Sequence, residues 1–310
     1  MTIPPGQDVL SDPQEFALVA GQDVAISFHL RGQSGPIPWH AKAMTTSYVT
    51  PPSGGDTAAD PAGTALDREI RSWPWLVELQ AHDANTTGRS AIVALGDSIT
   101  DGTGSTIDGN DRWADVLGRR LREAGSAKVV VNAGIGGNRV AALRWGPIQA
   151  PNKGPRAPDD RCLNCGDPAI VRLDRDVFAR PNVTDLILFE GVNDINAGAT
   201  YGEVIAGMQD IVRRARLRGV RVHAATVTPY YGYAGSIVYP DIVRRQVNDW
   251  MRACGLFDTL FDFDATVRDP ADTTRLRREY DSGDHIHFNP AGYAAVANSI
   301  PLAALDPTLK

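Results

Sequence analysis

Five short apolar runs punctuate the chain from residue 91 onward: AIVAL at 91–95, KVVVN at 128–132, TDLILFE at 184–190, VRVHAATV at 220–227 and DTLFDF at 258–263. Between them the apolar residues fall into helical register. Trp113, Val116, Leu117, Leu121 and Ala124 share one face, as do Val204, Ile205, Met208, Ile211, Val212 and Ala215. Ile242, Val243, Val247, Trp250 and Met251 form a third stripe. Strands alternating with helices in this way imply a parallel sheet covered on both faces, an α/β fold.

Ligands of such sheets bind outside the carboxyl ends of the strands. Three polar segments stand at those ends. Gly96-Asp97-Ser98 follows the first run, Asn132-Ala-Gly-Ile-Gly-Gly-Asn138 the second, and Gly191-Val-Asn-Asp194 the third. All three therefore converge on one edge. A strand-ending turn accounts for the glycines and for Asp97, but gives no role to Ser98.

Serine becomes a nucleophile when a base takes its proton and a third group orients that base. Of the six histidines, two lie in Asp281-Ser-Gly-Asp-His-Ile-His-Phe-Asn-Pro-Ala-Gly-Tyr293. Asp284 and His287 are three apart, just before a helix expected to begin near Pro290, so a loop can fold the carboxylate onto the imidazole. Acyl transfer also needs donors aimed at a developing oxyanion. Gly137 offers a backbone N–H, Asn193 a side-chain amide, and Ser98 its own N–H.

With these residues in place the chain resembles the SGNH hydrolases, the GDSL-type esterases and lipases. The resemblance rests on Ser98 in GDSIT, Gly137 in NAGIGGN, Asn193 in GVND, and His287 with Asp284 in DHIHFNPAGY, in matching order, and it covers roughly residues 90 to 300. It implies a three-layer α/β/α, flavodoxin-like fold with five parallel strands. It also implies Ser98 as nucleophile, His287 as base, Asp284 as orienting acid, and an oxyanion hole made by Ser98, Gly137 and Asn193, with no metal and no cofactor. Ile99 replaces the leucine of the family name. His285 adds a second imidazole beside the first, so the choice of His287 rests on the D-x-x-H spacing.

Residues 1–88 have another character. Val24, Ile26, Phe28 and Leu30 alternate with Ala25, Ser27 and His29, which predicts a half-buried strand. Turn-rich stretches surround it, and Trp73 and Trp75 add apolar area. The expectation is a small antiparallel β-rich domain over 1–88, a partial sandwich, ahead of a catalytic domain over 89–310. It resembles the strand-rich N-terminal module of some bacterial, often secreted, GDSL-type hydrolases. Those carry more strands, so the chain is expected to begin partway into the sandwich, leaving an open edge able to pair with a second copy as a homodimer.

The net charge of −6 gives no basic footprint for nucleic acid, and no apolar run reaches the length of a membrane span. The N-terminal stretch MTIPPGQDVLSD lacks a charged region followed by an apolar one, so no signal peptide is expected within it. Cys162 and Cys165 form a C-x-x-C in a proline-rich stretch, open to a local disulfide, free thiols or metal and redox chemistry. His285-Ile-His287 admits a metal pair, and Glu190 with Asp194 a glycosidase carboxylate pair. His223 is expected on a strand face in the core. The expected partner is a small-molecule ester with a short acyl or aryl group, since no long apolar lid is visible. The long loop from Arg139 to Asp167 is expected to wall the pocket. The alternatives are a carbohydrate O-acetylesterase, or a glycan- or partner-binding protein with incidental hydrolysis.

Overall fold

The structure, a computed structural model, describes residues 2–4, 6–19, 21–35, 37–81, 88–141, 164–234 and 238–309. Its N-terminal region holds four short strands: β1 (Trp39–His40), β2 (Ser47–Val49), β3 (Arg68–Ile70) and β4 (Trp73–Pro74). They form two separate antiparallel pairs, β1 with β4 and β2 with β3. The predicted strand over 24–30 is not formed. Val24, Ile26, Phe28 and Leu30 are exposed, although Phe28 meets Trp75 edge-on at 5.9 Å. Alternation supplies an apolar face, but a strand also needs a neighbour for its backbone, and residues 24–30 have none among the described residues. The boundary expected at 88/89 adjoins residues 82–87, which lie outside the described residues.

The remaining strands are β5 (Ser90–Gly96), β6 (Lys128–Gly134), β7 (Val183–Phe189), β8 (Arg221–Ala225) and β9 (Thr259–Phe261). Each falls on one of the five apolar runs. They form one sheet in the order β6-β5-β7-β8-β9, parallel throughout. The α-helices among the described residues are α1 (Ser98–Asp101), α2 (Trp113–Glu123), α3 (Ala169–Leu173), α4 (Val192–Asn196), α5 (Tyr201–Arg216), α6 (Val238–Ala253), α7 (Phe263–Val267), α8 (Pro290–Ser299) and α9 (Leu302–Leu305). Helix α2 packs on α8, and α5 packs on α3 and α6. Right-handed crossovers that run left to β6 and then right to β9 put these two groups on opposite faces, which gives three layers.

The central strands are closed on both sides: Ile92, Val93, Ala94, Leu95, Leu186 and Ile187 are fully buried. Trp113 from α2 and Phe189 from β7 both meet Phe263 edge-on, at 5.9 and 5.1 Å. Two sequence expectations shift. The last apolar run yields only three strand residues, because Asp262 turns away to cap α7, accepting the Ala265 N–H at 3.0 Å. On α6, Ile242 is exposed while Val243, Val247 and Met251 are buried. One step along a helix is about 100°, which carries Ile242 off the stripe. His223 is buried as expected, with Nε2 3.0 Å from Asp185 Oδ1 and its ring stacked on Phe261.

Strands β5 and β7 are adjacent, while β6 lies on the other side of β5. The strand order reverses here, and the crevice at such a switch point is where ligands bind in this architecture.

Candidate active site

Strand β5 ends at Gly96, where a side chain could not fit: a Cβ there would lie 2.1 Å from Thr100 Oγ1 and 2.7 Å from the Phe189 carbonyl. Asp97 then caps α1, its Oδ1 accepting the Ile99 N–H at 2.9 Å. Ser98 is thereby the first residue of α1, at the carboxyl end of the sheet, with 7% of its surface exposed. The first N–H groups of a helix have no carbonyl to pair with inside it, so the Ser98 N–H is available to a ligand.

The loop after α7 brings in the other side chains. His287 Nε2 lies 2.7 Å from Ser98 Oγ. His287 Nδ1 lies 2.5 Å from Asp284 Oδ2. Asp284 Oδ1 accepts the N–H groups of Ile286 at 3.1 Å and His287 at 2.9 Å. Burial pushes the Asp284 carboxyl up, but the bonds from His287 and from the backbone outweigh it and hold it down at about 2. Asn289 accepts the Gly292 N–H at 3.0 Å and starts α8 at Pro290, which fixes the far end of the loop.

His285 goes elsewhere. Its Nδ1 lies 2.6 Å from Asp281 Oδ2, and its backbone is left-handed at φ 71°. The two neighbouring imidazoles thus take different carboxylates, and the D-x-x-H spacing selects the one that meets serine. Among the described residues no group of three His, Cys, Asp or Glu could hold a metal ion.

Strand β6 delivers the Gly134–Asn138 turn to the same place. A Cβ on Gly136 would lie 4.0 Å from Ser98 Cβ, and Gly137 is left-handed at φ 79°. Asn193, on α4, donates from Nδ2 to the Asn138 carbonyl at 3.0 Å. An amide has two hydrogens, so one remains for a ligand. Glu190 and Asp194 are each 1% exposed. Asp194 accepts the Val140 and Ala141 N–H groups at 2.8 and 3.2 Å, so it anchors the chain leaving the turn. A glycosidase pair needs carboxyls open to a sugar, and these two are closed off.

One residue that organises the site escaped the sequence reading. Arg172, on α3, is fully buried on its side chain. It donates to Asn138 Oδ1 at 3.0 Å, the Ala133 carbonyl at 2.7 Å and the Gly96 carbonyl at 3.0 Å. It thereby clamps the carboxyl ends of β5 and β6 to the Gly134–Asn138 turn beside Ser98. The only sequence signal is an arginine within the apolar stretch Ala169-Ile-Val-Arg-Leu173. Asn138 Nδ2 also donates to the carbonyls of Cys165 and Asp167, at 2.7 and 2.8 Å. Cys165 is disulfide-bonded and Cys254 is a free thiol. Cys162, Trp145 and most of the loop expected to wall the pocket, residues 142–163, lie outside the described residues.

The ground beneath Ser98 is acidic and dry. Burial, reinforced by the neighbouring carboxylates, pushes Asp97 up to about 7 and Glu190 well above its ordinary range. Burial likewise pushes Asp194 up to about 6. These groups hold protons more tightly folded than unfolded, so the folded state binds more protons between about pH 4 and 7 and stability falls as pH rises there. The depressed carboxyls, Asp284 and Asp185, act in the opposite sense, but only below about pH 4. The thermal midpoint is therefore expected to be higher at pH 5 than at pH 8, with Asp97→Asn flattening the difference. A midpoint that rises from pH 5 to pH 8 would contradict this assignment.

Three comparisons bear on the arrangement. The model of the GDSL-like lipase/acylhydrolase family matches residues 94–295. The solved structure of Est24, a carbohydrate acetylesterase from Sinorhizobium meliloti, is similar in fold at TM-score 0.50 and 16% identity, covering 70% of this chain and 100% of that one. TesA is similar at TM-score 0.50 and 20% identity, covering 71% of this chain and 100% of its own. No curated protein matches the chain in sequence.

Proposed function

The chain belongs to the GDSL-like lipase/acylhydrolase family and is a carboxylic ester hydrolase; from that premise we propose that Ser98, His287 and Asp284 are its catalytic triad and that short-chain acyl or aryl esters are its substrates. The observation that carries the triad is the line from Asp284 Oδ2 to His287 Nδ1 at 2.5 Å and from His287 Nε2 to Ser98 Oγ at 2.7 Å.

Ser98 Oγ attacks the ester carbonyl carbon while its proton passes to His287 Nε2. The carbonyl electron pair moves to oxygen, and the Ser98 and Gly137 N–H groups with the free Asn193 amide hydrogen receive that oxyanion. Each such donor typically contributes a factor of ~10²–10³ in rate. Asp284, ionised at every working pH because its carboxyl is held at about 2, stabilises the imidazolium. Collapse breaks the ester C–O bond, and His287 gives its proton to the departing alcohol. Water then attacks the acyl-Ser98 ester, again losing a proton to His287. The second collapse returns that proton to Ser98 Oγ and releases the carboxylic acid.

The absence of a long apolar lid segment from the sequence supports short acyl groups. Initial rates on p-nitrophenyl acetate, butyrate, octanoate and palmitate, with and without EDTA, test the reading. Turnover of acetate and butyrate that exceeds octanoate and palmitate and resists EDTA is the expected result. A maximum on palmitate would overturn the short-chain assignment. Inactivity on all four, together with acetate release from acetylated xylan, would make the protein a carbohydrate O-acetylesterase instead.

A further inference from the structure

The N-terminal region reaches the active site through one side chain. His40, at the end of β1, places Nε2 2.7 Å from Asp101 Oδ1. Asp101 closes the four-residue helix that Ser98 opens, and its side chain is 5% exposed. Its other oxygen, Oδ2, accepts the Gly136 N–H at 3.1 Å. Gly136 leans on both groups: a Cβ there would lie 3.5 Å from Asp101 Oδ2 and 4.0 Å from Ser98 Cβ. The next residue is Gly137, whose N–H is assigned above to the oxyanion.

We propose that His40 is a positioning residue of the ester hydrolase, fixing the Asp101 carboxylate and through it the Gly136–Gly137 turn against Ser98. The inference rests on the reading of Ser98 and Gly137 given under Proposed function.

The physical case is one of charge. A carboxylate this dry holds its place only while its oxygens are hydrogen-bonded. Asp101 has two directional partners, the imidazole outside and the Gly136 N–H inside. Take away the imidazole and Oδ1 loses its directional partner, so the carboxylate is no longer held in the orientation that keeps Oδ2 on the Gly136 N–H. The groups facing the imidazole are Asp101, the Arg112 guanidinium, the Lys42 backbone and the Trp73 ring, whose centroid lies 6.1 Å away. Burial pushes the imidazole toward its neutral form, but the bond to Asp101, that carboxylate's charge and the Lys42 backbone outweigh it and push it up. The cationic form, which binds a carboxylate best, is therefore more accessible here than in a free imidazole. The N-terminal region, which carries no triad residue, thus helps to set the geometry of the reaction.

The experiment compares full-length wild type with His40→Ala, His40→Phe and His40→Gln on p-nitrophenyl acetate, well below every thermal midpoint. A shift of about 1 Å in catalytic geometry can cost ~10²-fold, so His40→Ala is expected to lower kcat by roughly 10- to 100-fold with KM little changed. His40→Gln, whose amide N–H reaches toward Asp101, is expected to recover most of the loss. His40→Phe fills the space and packs beside Trp73 without a donor, so it should lose kcat as alanine does, and it replaces alanine if that variant does not fold. Folded Ala or Phe variants with wild-type kcat, differing only in thermal midpoint, would overturn the proposal and leave His40 a packing contact. Failure of the triad reading has another signature: Ser98→Ala would keep its turnover with His40 intact.

Discussion

Ser98→Ala is expected to lower kcat on p-nitrophenyl acetate by roughly 10⁴–10⁶-fold, the range over which removal of an activated serine acts on a triad. The protein should fold as before. Among the described residues Ser98 Oγ has one hydrogen-bond partner, His287 Nε2 at 2.7 Å, and a methyl group leaves no buried polar atom stranded in the turn. Circular dichroism and the thermal midpoint should therefore match the wild type. The residual rate reports what the oxyanion donors do alone, since the Ser98 N–H, the Gly137 N–H and the Asn193 amide all survive the change. A folded variant that kept most of its turnover would remove Ser98 from the chemistry and with it the whole assignment.

The second large effect is on stability. Arg172→Met should destabilise the fold by about 3–5 kcal/mol, the usual cost of removing one partner from a buried charged network. That corresponds to a fall in Tm on the order of 10 °C for a domain of this size. Methionine replaces the aliphatic stem but none of the donors. The carbonyls of Gly96 and Ala133 and Oδ1 of Asn138 lose their bonds together. The nearby Glu190, 3.7 Å from the guanidinium and fully buried, loses its polar neighbour. Urea unfolding measures the loss. What remains folded should also turn over more slowly, because the Asn138 carbonyl orients the Asn193 amide and Asn138 is held by Arg172. A wild-type urea midpoint would mean that this clamp contributes nothing.

These two residues mark the range of what the sequence discloses. Ser98 was legible because strand ends are legible: an apolar run stops, glycine and aspartate follow, and the edge of a parallel sheet collects whatever comes next. Asn193 and the Gly137 turn follow by the same logic, and Asp284 with His287 by their spacing. The five strands were legible from their apolar runs, with their ends less so: the 220–227 run yields a strand only over Arg221–Ala225, and Asp262 ends the last run by capping α7. Arg172 was hidden because its role lies in three carbonyls distant in sequence, and arginine inside an apolar helix has no local signature. His40 was hidden for the same reason, 61 residues from the carboxylate it meets. The strand expected over 24–30 failed in the opposite direction. Its period is local, but pairing is not, and nothing in the described chain offers its backbone a neighbour.

The contact between His287 and Ser98 joins residues 189 apart along the chain. On the proposed assignment the nucleophile leaves β5, the first strand of the parallel sheet along the chain, and the base lies beyond β9, the last, so the chain must complete the sheet as far as β9 before its base segment is in hand. A chain emerging from the ribosome, or one paused in a partly folded state, holds a serine without its base. Under that assignment hydrolytic activity reports assembly across the whole chain: it requires the segment that follows β9 to be seated against the end of β5.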